Sequence, residues 1–388
     1  MNSNKVSATG VVAIMSIFFL CMGVGTITPA LNSIMEAFPE LSVSTIYLSS
    51  TLPSLTVIPA TLIAGMLAGN KAKYKTLASI GIVLFILGGV APFFASSFTV
   101  ILIERAVFGI GLGIISPLGN ALILGNFEGD KRASLMGIGT VMMNVGGIVL
   151  QFLGGYFAGI QWNYSFLPHV LGIISLVLVM IFLPEPDCEE MQMNTADKPK
   201  VKIPGSIWIM SILFGAVMFI SYPMLMGMST YLAQLKVGDA ATSAIVLSFF
   251  TVGGMLAGVI FGKMFKVTGR FVIAVSLFLM AVGYAILLFI PNMITIGAMV
   301  IGIGFSTLMP AVMMLLGMIC PPEVVAISTS ILMALMNLFG FLSTYWIQMI
   351  ANISGDPIVM PMYAGMAIAV IGGAVFLFVN PFPKENKQ

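Results

Sequence analysis

The sequence predicts an all-α membrane protein, with about twelve transmembrane helices in two six-helix bundles related by a pseudo-two-fold axis along the membrane normal. Three observations carry that expectation. Of 388 residues, 59% are hydrophobic and 8% charged, against about 45–50% and about 25% in an ordinary soluble domain. So few charges cannot cover a water-soluble globule, which excludes a cytosolic enzyme, a nucleic-acid binder and a disulfide-stapled secreted domain. The apolar residues fall in runs of the ~20 residues that a helical crossing needs. One long polar stretch, PEPDCEEMQMNTADKPKVKIP at 184–204, divides those runs six and six.

The runs lie at about 9–35, 44–69, 76–95, 98–124, 133–158 and 165–183, then at about 205–231, 241–262, 271–290, 294–319, 324–350 and 359–380. They are too long and too continuously apolar for the alternating strands, ~10 residues each, of a membrane barrel. The first run follows Lys5 as a signal sequence would. It exceeds the ~7–15 residue apolar region of a cleavable signal, so it reads as a retained first helix. The expected organisation is an N-terminal bundle at 1–183, a cytoplasmic linker at 184–204 and a C-terminal bundle at 205–388.

Charge sets the expected orientation, because Lys and Arg near span ends favour the cytoplasmic side. With an inside N-terminus, the inside segments hold Lys5, Lys71, Lys73, Lys75, Lys131, Arg132, Lys198, Lys200, Lys202, Lys263, Lys266, Arg270, Lys384 and Lys387. Lys236 alone lies outside and Arg105 lies within a span, so 14 of the 16 basic residues are inside. Both termini are expected in the cytoplasm, and the short loops suit a bacterial inner membrane. Cys21, Cys188 and Cys320 all fall within or inside the membrane, so no disulfide is expected, and their spacing suits no metal site.

The two halves repeat. At an offset of 193, Gly65 and Gly69 match Gly258 and Gly262, and GIGLGIISP with Gly109, Gly111 and Pro117 lies over GIGFSTLMP with Gly302, Gly304 and Pro310. Asn144 matches Asn337, Pro168 matches Pro361, and Gly172 matches Gly365. Near the start the register slips, so that IMSI at 14–17 returns at 209–212. Six spans per half is an even number, so both halves enter the membrane in the same direction. That is the plan of parallel repeats in a rocking two-bundle transporter.

On these features the chain resembles the major facilitator superfamily over essentially its whole length. The inside loop after the second helix follows the family pattern as Gly65-Met-Leu-Ala-Gly69-Asn70-Lys71-Ala-Lys73-Tyr-Lys75. The family's acid is replaced by Gly69 and its first arginine by Asn70, which departs from the usual charge relay of the inside gate. The fourth-helix motif, an arginine four residues before Gly-x-Gly, is present as Arg105, Gly109 and Gly111. The exporters' fifth-helix motif appears only as Gly146-Gly147 and Gly154-Gly155, without its proline; QWNYSFLPHV…FLPEP at 161–186 is a further family-like passage.

Candidate solute-handling residues follow from the rule that an ionisable group in hydrocarbon is costly and functional by default. Arg105 either binds an anionic group or steers protonation of a nearby acid; otherwise its guanidinium bonds main-chain carbonyls where the first and fourth helices meet. Gly109, Leu112, Ser116 and Asn120 share its face. Glu104 is the candidate proton carrier, unless it reaches the interface. Asn144 and Gln151 on the fifth helix pair under the repeat with Asn337 and Thr344 on the eleventh, either as cavity lining or as helix–helix hydrogen bonds. Asn32 beside Pro29 and Tyr222 beside Pro223 are further substrate-binding candidates on helices that line the family's cavity. His169 is expected at the interface. Gly65, Lys73, Gly109, Gly111, Gly302 and Gly304 are the gating candidates.

The expected function is alternating-access transport of a small organic solute across the cytoplasmic membrane by a monomer in the lipid bilayer. Export of an amphipathic or hydrophobic compound with protons as coupling ion is the first reading. An organic-anion carrier or exchanger using Arg105 is the second, and a non-transporting sensor is a third of another class. There is no Gly-x-x-x-x-Gly-Lys-Ser/Thr phosphate loop for ATP. No nucleophile–base pair stands within the spans, and no cofactor, metal or nucleic-acid partner is expected.

Overall fold

The computed structural model describes residues 6–69, 71–185, 205–320 and 325–379. Expectations that rest on Lys5, Asn70, Cys188, Lys198, Lys200, Lys202, Lys384 and Lys387 lie outside the described residues. The chain divides into two compact units, Met1–Lys198 and Pro199–Gln388.

In the first unit, α1 (Ala8–Ala37) starts at Ser7, whose hydroxyl accepts from the Gly10 N–H at 3.1 Å. Its α-helical turns stop at Leu20, give way to a 3-10 segment over Gly23–Ala30, and resume at Leu31. Gly23, Gly25 and Pro29 account for the break, since glycine weakens a helix and proline removes an N–H. Helix α2 (Val43–Leu67) is capped by Ser42 and contains Pro53 and Pro59. A tight turn at Gly69, φ +72°, leads into α3 (Tyr74–Phe94). The first N–H groups of α3, from Tyr74 and Lys75, donate to the two carboxylate oxygens of Glu185, the second at 3.1 Å. The chain just after the sixth span thus supplies the anion that a helix N-terminus favours. Then come α4 (Phe98–Asn126), α5 (Gly129–Ala158) and α6 (Trp162–Phe182), the last opening as a 3-10 helix through Leu171.

The second unit holds α7 (Gly205–Leu235), interrupted at Ala216, then α8 (Ala240–Thr268), α9 (Val272–Phe289), α10 (Pro291–Ile319), α11 (Val325–Ser354) and α12 (Val359–Phe378). By length and apolarity alone the described chain contains eleven candidate spans, because 240–289 counts as one of 50 residues. Fifty residues of straight helix would run ~75 Å, far beyond the ~30 Å hydrocarbon core. Gly269 at φ +49° breaks this stretch into α8 and α9, giving the twelve crossings expected. Lys236, at φ +58°, ends α7 in the left-handed conformation. Asp239 caps α8, accepting from the Thr242 N–H at 2.8 Å and its hydroxyl at 2.9 Å.

Helices in lipid gain little from apolar contact, so small residues that let backbones approach supply the packing. In the first unit α4 is the central helix. A Cβ on Gly109 would sit 2.6 Å from the Pro53 carbonyl oxygen of α2, and one on Gly111 would sit 2.4 Å from the Phe85 nitrogen of α3. In the second unit α10 takes that place. A Cβ on Gly302 would lie 2.0 Å from the Phe250 oxygen of α8, and one on Gly304 would lie 2.5 Å from the Ser276 oxygen of α9. The 193-residue repeat is therefore a repeat of packing. Gly65 differs from the other gating candidates, because a Cβ there meets nothing within 4 Å.

Two outcomes follow. Gly304→Leu overpacks the α9–α10 crossing and lowers stability in detergent by about 1–3 kcal/mol, while Gly65→Ala stays within about 0.5 kcal/mol of the parent; thermal unfolding of both variants checks this. Thr242's N–H and hydroxyl hold the Asp239 carboxylate below its usual range. The cap is then fully formed above the ordinary Asp value of ~3.9 and is lost as pH falls through the lowered folded value. Hydrogen exchange in the first turn of α8 accelerates below that point, and Asp239→Ala produces the faster exchange at neutral pH.

Candidate functional site

In the first unit, polar side chains join α2 to α4, and one joins α1 to α2. Pro53 has no N–H, so the Ser49 carbonyl four residues earlier has no helical donor. Arg105 supplies it: its Nε–H donates to the Ser49 oxygen at 2.8 Å. The same arrangement recurs where Pro117 strips the Gly113 carbonyl of its donor, and the Thr61 hydroxyl bonds that oxygen at 3.0 Å. The Thr56 hydroxyl reaches the Ala106 oxygen of α4 at 3.0 Å. Thr28 on α1 and Ser50 on α2 join by their hydroxyls at 3.3 Å. A guanidinium and a hydroxyl thus answer the two carbonyls, of Ser49 and Gly113, that the prolines would leave unsatisfied in hydrocarbon.

Arg105 is 0% exposed and its guanidinium carbon lies 4.1 Å from the Phe108 ring centroid. Its two terminal nitrogens are buried with no hydrogen-bond partner among the described residues; the Tyr47 hydroxyl and Glu104 Oε2 are in the same condition. A guanidinium held by its Nε with both terminal nitrogens unused presents the planar fork that carboxylate or phosphate matches. The main-chain partner expected for Arg105 is present, but it belongs to the second helix and not the first. Pro53, four residues after Ser49, is the sequence signal that would have identified it.

The other candidates separate. Along the Arg105 face, Gly109 and Leu112 are buried, Ser116 bonds the Leu112 carbonyl of its own helix at 2.7 Å, and Asn120 is exposed. Glu104 is half-buried. On α5, Asn144 donates to Thr140 of its own helix at 2.9 Å, and buried Gln151 lies beside Gly25 of α1. Asn32 donates to Glu36 at 2.8 Å. Lys73 is exposed immediately before α3.

His169, expected at the interface, is completely buried. The 3-10 opening of α6 carries it over the break in α1, where Nδ1 lies 2.8 Å from the Phe166 oxygen and Nε2 lies 3.3 Å from the Gly23 oxygen. Gly89 of α3 makes room for the ring, since a Cβ there would lie 2.6 Å from His169 Cγ. Phe108 meets the ring edge-on at 5.0 Å.

In the second unit, the ring of Tyr222 on α7 lies over Gly340 of α11, where a Cβ would be 2.7 Å from its hydroxyl. This sets Tyr222 against α11 between half-buried Asn337, which donates to Met333 at 3.0 Å, and buried Thr344. Phe219 of α7 stacks on Trp346 at 5.3 Å and touches Phe339 at 5.2 Å. Trp346 Nε1 is buried without a partner among the described residues. Sequence reasoning overlooked this aromatic group because it lies on the side of α11 opposite Asn337 and Thr344. Among the described residues, no group of three or more His, Cys, Asp or Glu side chains is placed to hold a metal ion.

Comparison with solved structures shows the same fold. A crystal structure of the nucleoside transporter NupG aligns with a TM-score of 0.78 at 13% identity, covering 96% of this chain and 98% of that one. A D-xylose-proton symporter gives 0.76 at 16% identity over 98% of both chains. A bacterial homologue of the lysosomal transporter Spinster gives 0.71 at 18% identity, covering 96% and 94%. Among curated relatives, the thioclapurine efflux transporter tcpA of Claviceps purpurea is 30% identical over 29% of this chain and 21% of its own length. The quinolone resistance protein NorA of Staphylococcus aureus is 24% identical over 53% and 54%, and the hexuronate transporter of Bacillus subtilis is 28% identical over 50% and 49%. The matched part of the chain thus spans between about a fifth and about half the length of these curated relatives. The sequence profile of the Major Facilitator Superfamily matches residues 13–344. With a fold shared along nearly its whole length and a profile match over most of it, the chain belongs to the Major Facilitator Superfamily.

Proposed function

We propose that this protein is a secondary transporter that exports a small amphipathic or hydrophobic organic solute by alternating access, with protons as the coupling ion. In this reading the bundles at 1–183 and 205–388, joined by the linker at 184–204, rock around a midplane site, with both termini in the cytoplasm. The observation that carries the solute class is the chemistry of the candidate residues. The solute-contact candidates other than Arg105 are neutral amides and hydroxyls, and Arg105, the one cationic candidate among the spans, is fully buried. A neutral surface of this kind suits a solute held by apolar contact and a few hydrogen bonds. The partial similarity to proteins named as efflux pumps supports the same reading. Glu104, with one carboxylate oxygen buried and unpartnered, is the assigned proton carrier. Asn32, Asn120, Asn144, Gln151, Tyr222, Asn337 and Thr344 are assigned to solute contact.

A second reading, an organic-anion carrier, is favoured by the two unused nitrogens of Arg105 and by the partial similarity to a hexuronate transporter. The two readings separate on one pair of variants. In the export reading, Glu104→Gln abolishes proton-driven efflux from proteoliposomes while solute exchange continues, and Arg105→Lys leaves exchange within about twofold of the parent. In the anion reading, Arg105→Lys keeps the charge but loses the fork, and anion uptake falls at least about tenfold. Alternating access itself is read from cysteines placed at Asn144 and Asn337: thiol labelling shifts between the two membrane sides as solute is added. Labelling from one side under every condition would leave the non-transporting sensor as the better account.

A further inference from the structure

The two units differ at one place where the repeat makes them comparable. In the first, Ala8–Leu20 of α1 packs against α4, α5 and α6. In the second, the corresponding Gly205–Gly215 of α7 packs chiefly against α11 and stands off α9, α10 and α12. The gap is a cavity of about 330 Å³, walled by Phe214, Ile273, Leu277, Leu308, Val312 and Leu315, with Ser206 its one polar lining residue. Ile209 and Leu213 border it and are 63% and 55% exposed.

The sequence explains the gap. In the first unit the ring of Phe18, 5% exposed, seats on Gly119 and Gly139; a Cβ on either would lie 2.9 Å from that ring. At the offset of 193 these glycines become Val312 and Leu332, and at the slipped offset of 195 Phe18 becomes Leu213. Two glycine seats are filled, and at the slipped offset Leu213 stands in place of the ring, with Phe214 beside it in the cavity wall.

A cavity lined by Leu, Ile and Phe does not hold water and takes up apolar molecules. Its volume falls in the ~300–1,000 Å³ class of ligand sites. Between transmembrane helices, the apolar material at hand is the bilayer. Among the described residues, the basic ones near it stand at one end of the helices. Arg270, exposed and stacked 4.5 Å from the Phe271 ring, stands one turn before Ile273 of the cavity wall, with exposed Lys263 and Lys266 at the end of α8. The acids of this unit among the described residues, Asp239 and Asp356, precede α8 and α12 at the opposite end of the helices.

We propose that this crevice holds one acyl chain of an anionic phospholipid, with the headgroup phosphate against Arg270. The bound chain takes the place of the ring that the first unit supplies from its own sequence, and it wedges the first half of α7 away from α10. The site lies within the second unit and does not depend on the transport reading.

The full chain in nanodiscs containing phosphatidylglycerol or phosphatidylcholine with a photoreactive acyl chain tests this. Crosslinked residues are identified by peptide mass spectrometry. Labelling is expected at Leu308, Val312 and Leu315, with none at Ile115 and Leu122, which stand where Leu308 and Leu315 stand but in the packed unit. Phosphatidylglycerol labels about fivefold more than phosphatidylcholine, and Arg270→Gln removes that preference. Leu308→Phe, which fills the cavity, abolishes labelling at Leu315. Labels confined to outward residues such as Ile212, Val370 and Ile371 would overturn the site and leave the linker or α7 itself as what closes the crevice. Equal labelling by the two lipids overturns the headgroup assignment.

Discussion

Backbone-to-backbone approach along α4 and α10 is the contact on which each unit depends. In hydrocarbon there is no water to exclude between helices, so the contact must come from dispersion and hydrogen bonding at short range. Gly109 and Gly111 bring α2 and α3 onto opposite sides of α4, and Gly302 and Gly304 do the same for α8 and α9 on α10. Hydroxyls then reach across these seams. Thr56 and Thr61 bond α4 carbonyls, and Ser276 bonds Thr307 at 2.7 Å between α9 and α10. A side chain at any of those four glycines would separate the main chains and break the hydrogen bonds as well.

Arg105 follows from the same constraint. Pro53 in α2 leaves the Ser49 carbonyl without a donor, and a buried unpaired carbonyl is costly in lipid. The guanidinium that answers it brings further N–H groups than the protein uses. A residue placed for the backbone therefore carries chemical capacity left over. The anion reading proposed above would use the terminal nitrogens of Arg105 and leave its Nε bond to Ser49 in place. His169 shows the converse. Its ring lies against the carbonyls of Phe166 and Gly23 and is enclosed by α1, α3 and α4, so it serves the seam where α1 changes from α to 3-10 geometry.

The two units share one plan and diverge where side-chain volume diverges. Phe18 on two glycines closes the first; in the second, Leu213 and Val312 border an open cavity. Pseudo-symmetry in sequence thus specifies which helices are central, whereas the sizes of individual residues decide how tightly their neighbours close.

The spans, their number and the matched glycines of the fourth and tenth helices were legible in the sequence. Apolar run length and a constant offset are one-dimensional properties, and lipid admits few folds that satisfy them. The polar candidates were legible only as a set. Whether Asn144 bonds its own helix, whether His169 meets the interface or the interior, and which carbonyl receives Arg105 depend on the neighbouring helix and its rotation. Those are set by contacts between residues far apart in the chain: Arg105 with Ser49, His169 with Gly23, Lys75 with Glu185. Helical period places a side chain on a face, but only the packed bundle determines what that face meets.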